Sequence, residues 1–208
     1  KMVTSGSNLC SCIECKLKTL FFDFVEKDEL DMVCSAKIEN RFRKGETIIR
    51  EGDLISDFIY LKSGLVKLTR QTGNGNEQIL SFAKPFDFVS LLSVFSATRY
   101  NYSVIAIEDT EICILDLENV KNTILKNGKF GLNVMQKISE ATDRIILDNL
   151  EIKRKHLIGR VAHVLIYFSD SVYQNKTFVL PVSRQEIADF IGMTTENVIR
   201  TLSEFKKD

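Results

Sequence analysis

The pattern of apolar and polar positions changes character along the chain. From about Ile38 to Leu117, short apolar or alternating runs are separated by Gly, Asn and Asp. The runs are Thr47–Ile49, Phe58–Leu61, Leu65–Thr69, Gln78–Phe82, Tyr102–Ile107 and Glu111–Leu115. The breaks include Lys44-Gly45-Glu46, Glu51-Gly52-Asp53, Ser63-Gly64 and Gly73-Asn74-Gly75. Short strands spaced this way predict an all-β sandwich or barrel. Gly75 and its neighbours predict a hairpin tip between Arg70 and Gln78. Ahead of the strands, Thr19–Met32 carries Leu20, Phe21, Phe24 and Leu30, with Val33 next in the row, and predicts a helical lead-in.

After Asn127-Gly128 the period becomes helical. Val134, Ile138, Ala141, Ile145, Asp148 and Ile152 alternate steps of four and three, an apolar seam interrupted only by Asp148. A helix packed on its own domain would show the same spacing. The pattern runs on through Met135, Ile146 and Leu150, which favours a dimerisation helix. Leu157–Phe168 is a second apolar-rich helix, and Thr177–Val182 reads as a short strand.

The last stretch, Val182–Phe205, reads as two short helices joined by a tight turn. Ser183 is an N-cap, and Glu186 three residues on completes a capping box. Gly192 sits where a sharp turn needs positive φ. Thr194 can cap the second helix, whose buried face is Val198, Thr201, Leu202 and Phe205. Its other face presents Thr195, Glu196, Ile199, Arg200 and Ser203 at helical spacing. A helix-turn-helix places such a helix in the DNA major groove. Arg200 suits a guanine edge, Glu196 a cytosine amino group and Ile199 a thymine methyl. Ser183, Arg184, Gln185, Thr194 and Asn197 complete the candidate DNA-contacting set. The alternative is a helical hairpin with a solvated face, an interaction module that binds no DNA. A two-fold DNA site read by two copies needs a homodimer, so the seam and this motif support each other.

Charge alters this picture little. Lys+Arg and Asp+Glu number 28 each, so any attraction to DNA must come from a local patch. No apolar run approaches the roughly 20 residues that span a bilayer, and no signal peptide opens the chain, so a cytoplasmic protein without membrane contact is expected. An odd count of 5 cysteines fits a reducing compartment. No histidine falls among the predicted strands, which argues against a metal-dependent catalytic barrel, and no Walker loop, GxSxG elbow or HExxH is present, so no enzyme is expected. His156 and His163 lie in or near the DNA-binding half, poorly placed as haem ligands for the barrel.

Lys44-Gly45-Glu46 with Glu51-Gly52-Asp53, Tyr60-Leu61-Lys62-Ser63-Gly64-Leu65-Val66-Lys67, Gly159-Arg160-Val161-Ala162, Ser183-Arg184-Gln185-Glu186-Ile187-Ala188 and Thr195-Glu196-Asn197-Val198-Ile199-Arg200-Thr201-Leu202 together resemble the Crp/Fnr family of bacterial transcription regulators. The resemblance covers nearly the whole chain. It implies an α+β fold: a double-stranded β-helix or jelly-roll sensor barrel with its lead-in over residues 1–128, a dimerisation helix over 129–156, and a winged helix-turn-helix over 157–208. It implies a homodimer on a two-fold double-stranded operator, with RNA polymerase as a further partner if the protein activates. It puts Glu196 and Arg200 at base-reading positions. The chain stops soon after the recognition helix, so the wing hairpin is missing and a truncated or unobserved tail is expected.

The signal is less determined. Cyclic AMP in this family is held by a Gly-Glu-Leu turn, an Arg-Ser pair and a Thr-Ser pair on the central helix. Here the matching positions are Ser90, Leu91 and Leu92, then Asn101 and Tyr102, then Ile145 and Ile146, with Arg99 two residues off register. A buried phosphate without its arginine has no compensating charge, so cyclic AMP is not expected. These eight residues remain the candidate effector pocket, for an apolar or unknown ligand. The Fnr branch instead holds an iron–sulfur cluster on cysteines, and Cys12 and Cys15 match its CxxC pair and Cys113 its late-strand cysteine. Phe21 stands where its third cysteine is expected, with Cys10 or Cys34 as substitutes, so Cys10, Cys12, Cys15 and Cys113 form the candidate metal set. A buried late-strand cysteine is also simply a small apolar residue.

Overall fold

The computed structural model describes residues 25–34, 37–73 and 77–207. The part of the predicted lead-in before Val25, together with Cys10, Cys12 and Cys15, lies outside the described residues. Helix α1 (Lys27–Cys34) leads into strands β1 (Ile38–Phe42), β2 (Thr47–Ile49), β3 (Asp57–Ser63), β4 (Val66–Gln71), β5 (Glu77–Ala83), β6 (Ser103–Ala106) and β7 (Thr110–Asp116). Helices α2 (Leu117–Lys126), α3 (Gly128–Arg154) and α4 (Leu157–Ile166) come next. The chain then makes a π-helical segment (Tyr167–Tyr173) and ends in α5 (Arg184–Ile191) and α6 (Thr195–Phe205).

The strands form two antiparallel sheets, ordered β1-β7-β3 and β2-β6-β4-β5, which enclose a core without closing into a continuous barrel. Ile59, Leu61 and Ile112 from one sheet meet Ile49, Val66, Leu68 and Val104 from the other. Every run read as a strand before residue 117 overlaps one. The hairpin β4–β5 pairs Arg70 with Gln78, as its turn residues predict. Gly64 ends β3 at φ +86, where an added Cβ would stand 2.4 Å from the Asp109 carbonyl oxygen, so the crossing there needs glycine.

Two elements were not legible as drawn. β1 has no apolar alternation, yet it pairs along its whole length with β7. Thr177–Val182, expected to be a strand, is not one: no described strand pairs with it, and Val179 is 88% exposed. Without a ladder partner, a β-prone sequence gains no strand hydrogen bonds.

α3 corrects the predicted seam. Val134 is buried with Phe58, Leu115 and Phe130, and Ile138 packs on that cluster. Ile152 is buried near the other end among Val161, Phe168 and Ile187. Val134, Ile138 and Ile152 are therefore taken up inside the chain, while Ala141 and Ile145 are half-buried. The exposed apolar residues of α3 lie on another face: Leu132, Met135, Ile146, Leu147 and Leu150.

The C-terminal helices pack on the outer face of β4 and β5. Along β4, Val66 and Leu68 point into the core between the sheets. Leu65, preceding β4, and Ile79 and Phe82 of β5 join Phe168, Ile187, Ile191 and Val198 in a cluster shared with the C-terminal helices. Arg160 tightens this half by donating to the carbonyls of Lys155 (3.1 Å) and Ile191 (3.3 Å), near the end of α3 and at the end of α5.

Candidate nucleic-acid interface and sensor region

The helix-turn-helix is built from local chemistry. Ser183 Oγ accepts from the Glu186 N–H at 3.2 Å, and a Glu186 carboxylate oxygen accepts from the Ser183 N–H at 2.8 Å, a complete capping box. Gly192 closes α5 at φ +66, and the Met193 N–H reaches the Ala188 carbonyl at 3.0 Å. Thr194 caps α6 by accepting from the Asn197 N–H. Val198 and Thr201 are buried beneath α6, with Leu202 and Phe205 packed on the same cluster.

This leaves the opposite face open. Glu196, Ile199, Arg200 and Ser203 are exposed, and Thr195 and Asn197 half-buried. The Arg200 guanidinium donates to Asn197 Oδ1 at 2.9 Å, and the Ser203 hydroxyl to the Ile199 carbonyl at 2.8 Å. Thr195 Oγ1 donates to Gln185 Oε1 at 2.5 Å, tying the two helices together at their outer corner, and Gln185 also donates to Asp189. Arg184 is exposed beside them. Of the predicted contact residues, eight are exposed and Thr195 and Asn197 half-buried, and Ser183 and Thr194 also serve as caps. Sequence reasoning missed Lys67, which reaches Glu186 at 3.0 Å. Its signal is a lysine inside the apolar run Leu65-Val66-Lys67-Leu68.

The eight candidate effector residues differ in burial and in partners. Ser90 is fully buried and its Oγ accepts from the Ile59 N–H at 2.9 Å. Leu91 and Leu92 belong to different apolar clusters. Tyr102 is buried and donates to the Val89 carbonyl at 2.9 Å. Burial and the neighbouring Tyr100 hold its phenol well above the usual range, so it is a neutral donor. Arg99 lies exposed and donates to the Gly52 carbonyl at 2.7 Å, Asn101 is exposed, and Ile146 faces outward on α3. A cleft of about 250 Å³ lies between Phe86, Phe88 and Leu91 on the sheet side and Lys137, Ala141 and Arg144 on α3. Arg144 pairs with Asp87 across it at 3.2 Å. Of the candidate effector residues, only Leu91 lines it.

Cys113 lies in β7, buried in the cluster that holds Tyr60, Leu115 and Val120, with Cys34 of α1 packed against the same cluster. This surrounding suits a small apolar side chain. Among the described residues, no group of three or more potential ligands comes together.

Comparison with known proteins decides the family. A model of the cyclic nucleotide-binding domain matches residues 39–127, and a model of the Crp-like helix-turn-helix domain matches residues 159–208. The chain belongs to the Crp/Fnr family of transcription regulators. Its relatives include the transcriptional activator protein FnrA of Stutzerimonas stutzeri, 28% identical over 95% of this chain and 83% of that protein. The fumarate and nitrate reduction regulatory protein of Escherichia coli K12 is 24% identical over 100% of this chain and 85% of its own. Among solved structures, FixK2 from Bradyrhizobium japonicum superposes with a TM-score of 0.74 at 23% identity, covering 83% of this chain and 85% of its own. A regulator of the family from Eubacterium rectale gives 0.73 at 16% identity, covering 89% and 86%. Both likenesses carry the fold. The protein is therefore a Crp/Fnr-type regulator with a DNA-binding helix-turn-helix, and its relatives are regulators, not enzymes. No described helix is long and apolar enough to cross a membrane.

Proposed function

We propose that this regulator works in the cytoplasm as a homodimer reading a two-fold DNA site through α6, under control of a signal other than a cyclic nucleotide. The observation that carries the DNA reading is the division of α6, with Val198 and Thr201 buried and Glu196, Ile199 and Arg200 open on one face. Arg200 must exchange Asn197 for a base edge, a swap of one polar partner for another. An exposed apolar row of Leu132, Met135, Ile146 and Leu150 supports pairing through α3. In the sensor, Ser90 and Tyr102 are bonded to the protein's own backbone, and a phosphate would meet no arginine there. RNA polymerase is the further partner of an activating form.

Selection of duplexes from a random library by the full chain tests this. An inverted repeat bound by two copies is the expected result; enrichment of no sequence would rule the reading out. Cyclic AMP should leave both melting temperature and DNA affinity unchanged.

A second reading, an iron–sulfur sensor, is favoured by the CxxC of Cys12 and Cys15, by Cys113, and by relatives that include fumarate and nitrate reduction regulators. Cys10 completes the residues that would hold the cluster, which would supply oxygen-sensitive ligation. Anaerobic purification with iron and sulfide assays, and DNA binding before and after air, separates the two. Colourless protein with air-independent binding excludes the cluster.

A further inference from the structure

Lys67 is only 7% exposed, in the first, buried half of β4, which is covered on both faces there. Its neighbours Val66 and Leu68 point into the core between the sheets, so Lys67 points out, under the C-terminal helices. There its ammonium meets Glu186 of α5 at 3.0 Å and Glu77 of β5 at 3.3 Å. Glu186 is the residue that closes the capping box of the helix-turn-helix. The cation therefore grips the first turn of α5, the helix that leads into α6.

The other contacts between the two halves differ in kind. Phe82 packs edge-on against Phe190 at 4.9 Å and beside Phe168 at 5.2 Å. Such apolar contact holds strongly but resists rotation weakly, because burial is not directional. Lys44 and Lys84 donate to the carbonyls of Pro181 (3.2 Å) and Ser171 (2.8 Å), and Tyr173 bonds Glu108, all on the connecting segments before α5. Among these polar contacts, only the Lys67–Glu186 pair reaches α5 itself. Separating this shielded pair leaves Lys67 with Glu77 alone and Glu186 with the Ser183 N–H alone, so the contact resists being pulled apart.

We infer that Lys67 is a positioning residue for DNA recognition: through Glu186 it fixes the angle of the helix-turn-helix on the sensor domain, and so the separation of the two reading helices that a dimer can present. This rests on the proposed reading of a two-fold site. One helix-turn-helix reads its half-site with or without the lock. Two copies match a site about one helical turn apart only if their angles are set.

The test uses the full chain and its selected operator, with the half-sites also moved apart or together by one or two base pairs, and an isolated half-site as control. Lys67→Met keeps length and burial but removes the charge. Glu186→Gln keeps an acceptor for the Ser183 N–H, so the capping box survives while the ion pair is lost. Both variants should bind the isolated half-site like the wild type, while their preference for the native spacing falls roughly fivefold or more. Lys67→Arg should restore that preference. Unchanged spacing preference in both charge-removing variants overturns the inference alone. So does a half-site affinity that falls in step with the full site, since that marks plain structural damage. Wild-type protein that selects no duplex overturns the functional reading and this inference with it.

Discussion

At the scale of single residues, two positions follow directly from geometry. Gly64→Ala would force a Cβ to within 2.4 Å of backbone at a φ of +86. It should cost at least about 2 kcal/mol in denaturant unfolding, as a clash added to an unfavourable backbone region. Glu186 gives a pH dependence with a definite sign. Burial raises its carboxyl, but the Ser183 backbone, the Lys67 ammonium and the Ser183 hydroxyl outweigh this and hold it below the usual carboxylate range. A depressed folded-state value means stability that is present above the unfolded value and lost as pH falls through the folded one. Acid unfolding of Glu186→Gln should therefore fall less steeply below about pH 4.5 than that of wild type. Equal slopes would show that the carboxylate is not held. Ser183, Glu186, Gly192 and Thr194 were all legible in the sequence, because each acts on backbone a few residues away. Lys67 was not, because its partner Glu186 lies far along the chain and only the fold brings the two together.

At the scale of elements, the strands were read well because turn residues and short apolar runs mark them locally. β1 escaped, since its strand character comes from β7 beside it rather than from its own pattern. α3 shows a subtler failure. The rows Val134-Ile138-Ile152 and Leu132-Met135-Ile146-Leu150 both fit helical spacing, and periodicity does not say which row packs within the chain. The structure assigns the first row to the interior. Two substitutions should then behave oppositely. Val134→Ala should lower stability by about 2 kcal/mol through the cavity it leaves, with association unchanged. Leu150→Glu should leave the fold of each copy intact and shift sedimentation from dimer toward monomer, by burying a charge in the paired face. Dimers unaffected by Leu150→Glu would move the interface away from this row.

At the scale of the whole molecule, the C-terminal helices ride on the sensor's β4–β5 hairpin through a shared apolar cluster, while α3 spans both halves. This arrangement ties the sheets to α5 and leaves the open face of α6 uncovered. The order of strands, long helix and helix-turn-helix was readable from texture alone. Of the candidate effector set, only Leu91 lines the cleft beside α3. Its members were chosen by position in a pattern, and the structure uses Ser90 and Tyr102 for internal hydrogen bonds and leaves Arg99 at the surface. The most direct test of the central claim is the affinity of wild type and Arg200→Ala for the selected operator and for a set in which each symmetric base pair is changed in turn. Arg200→Ala should lose about 1–3 kcal/mol on the intact operator and become indifferent to one base pair in each half-site, while keeping wild-type discrimination elsewhere. A variant whose base preferences match the wild type at every position would contradict the assignment of α6 as the reading helix.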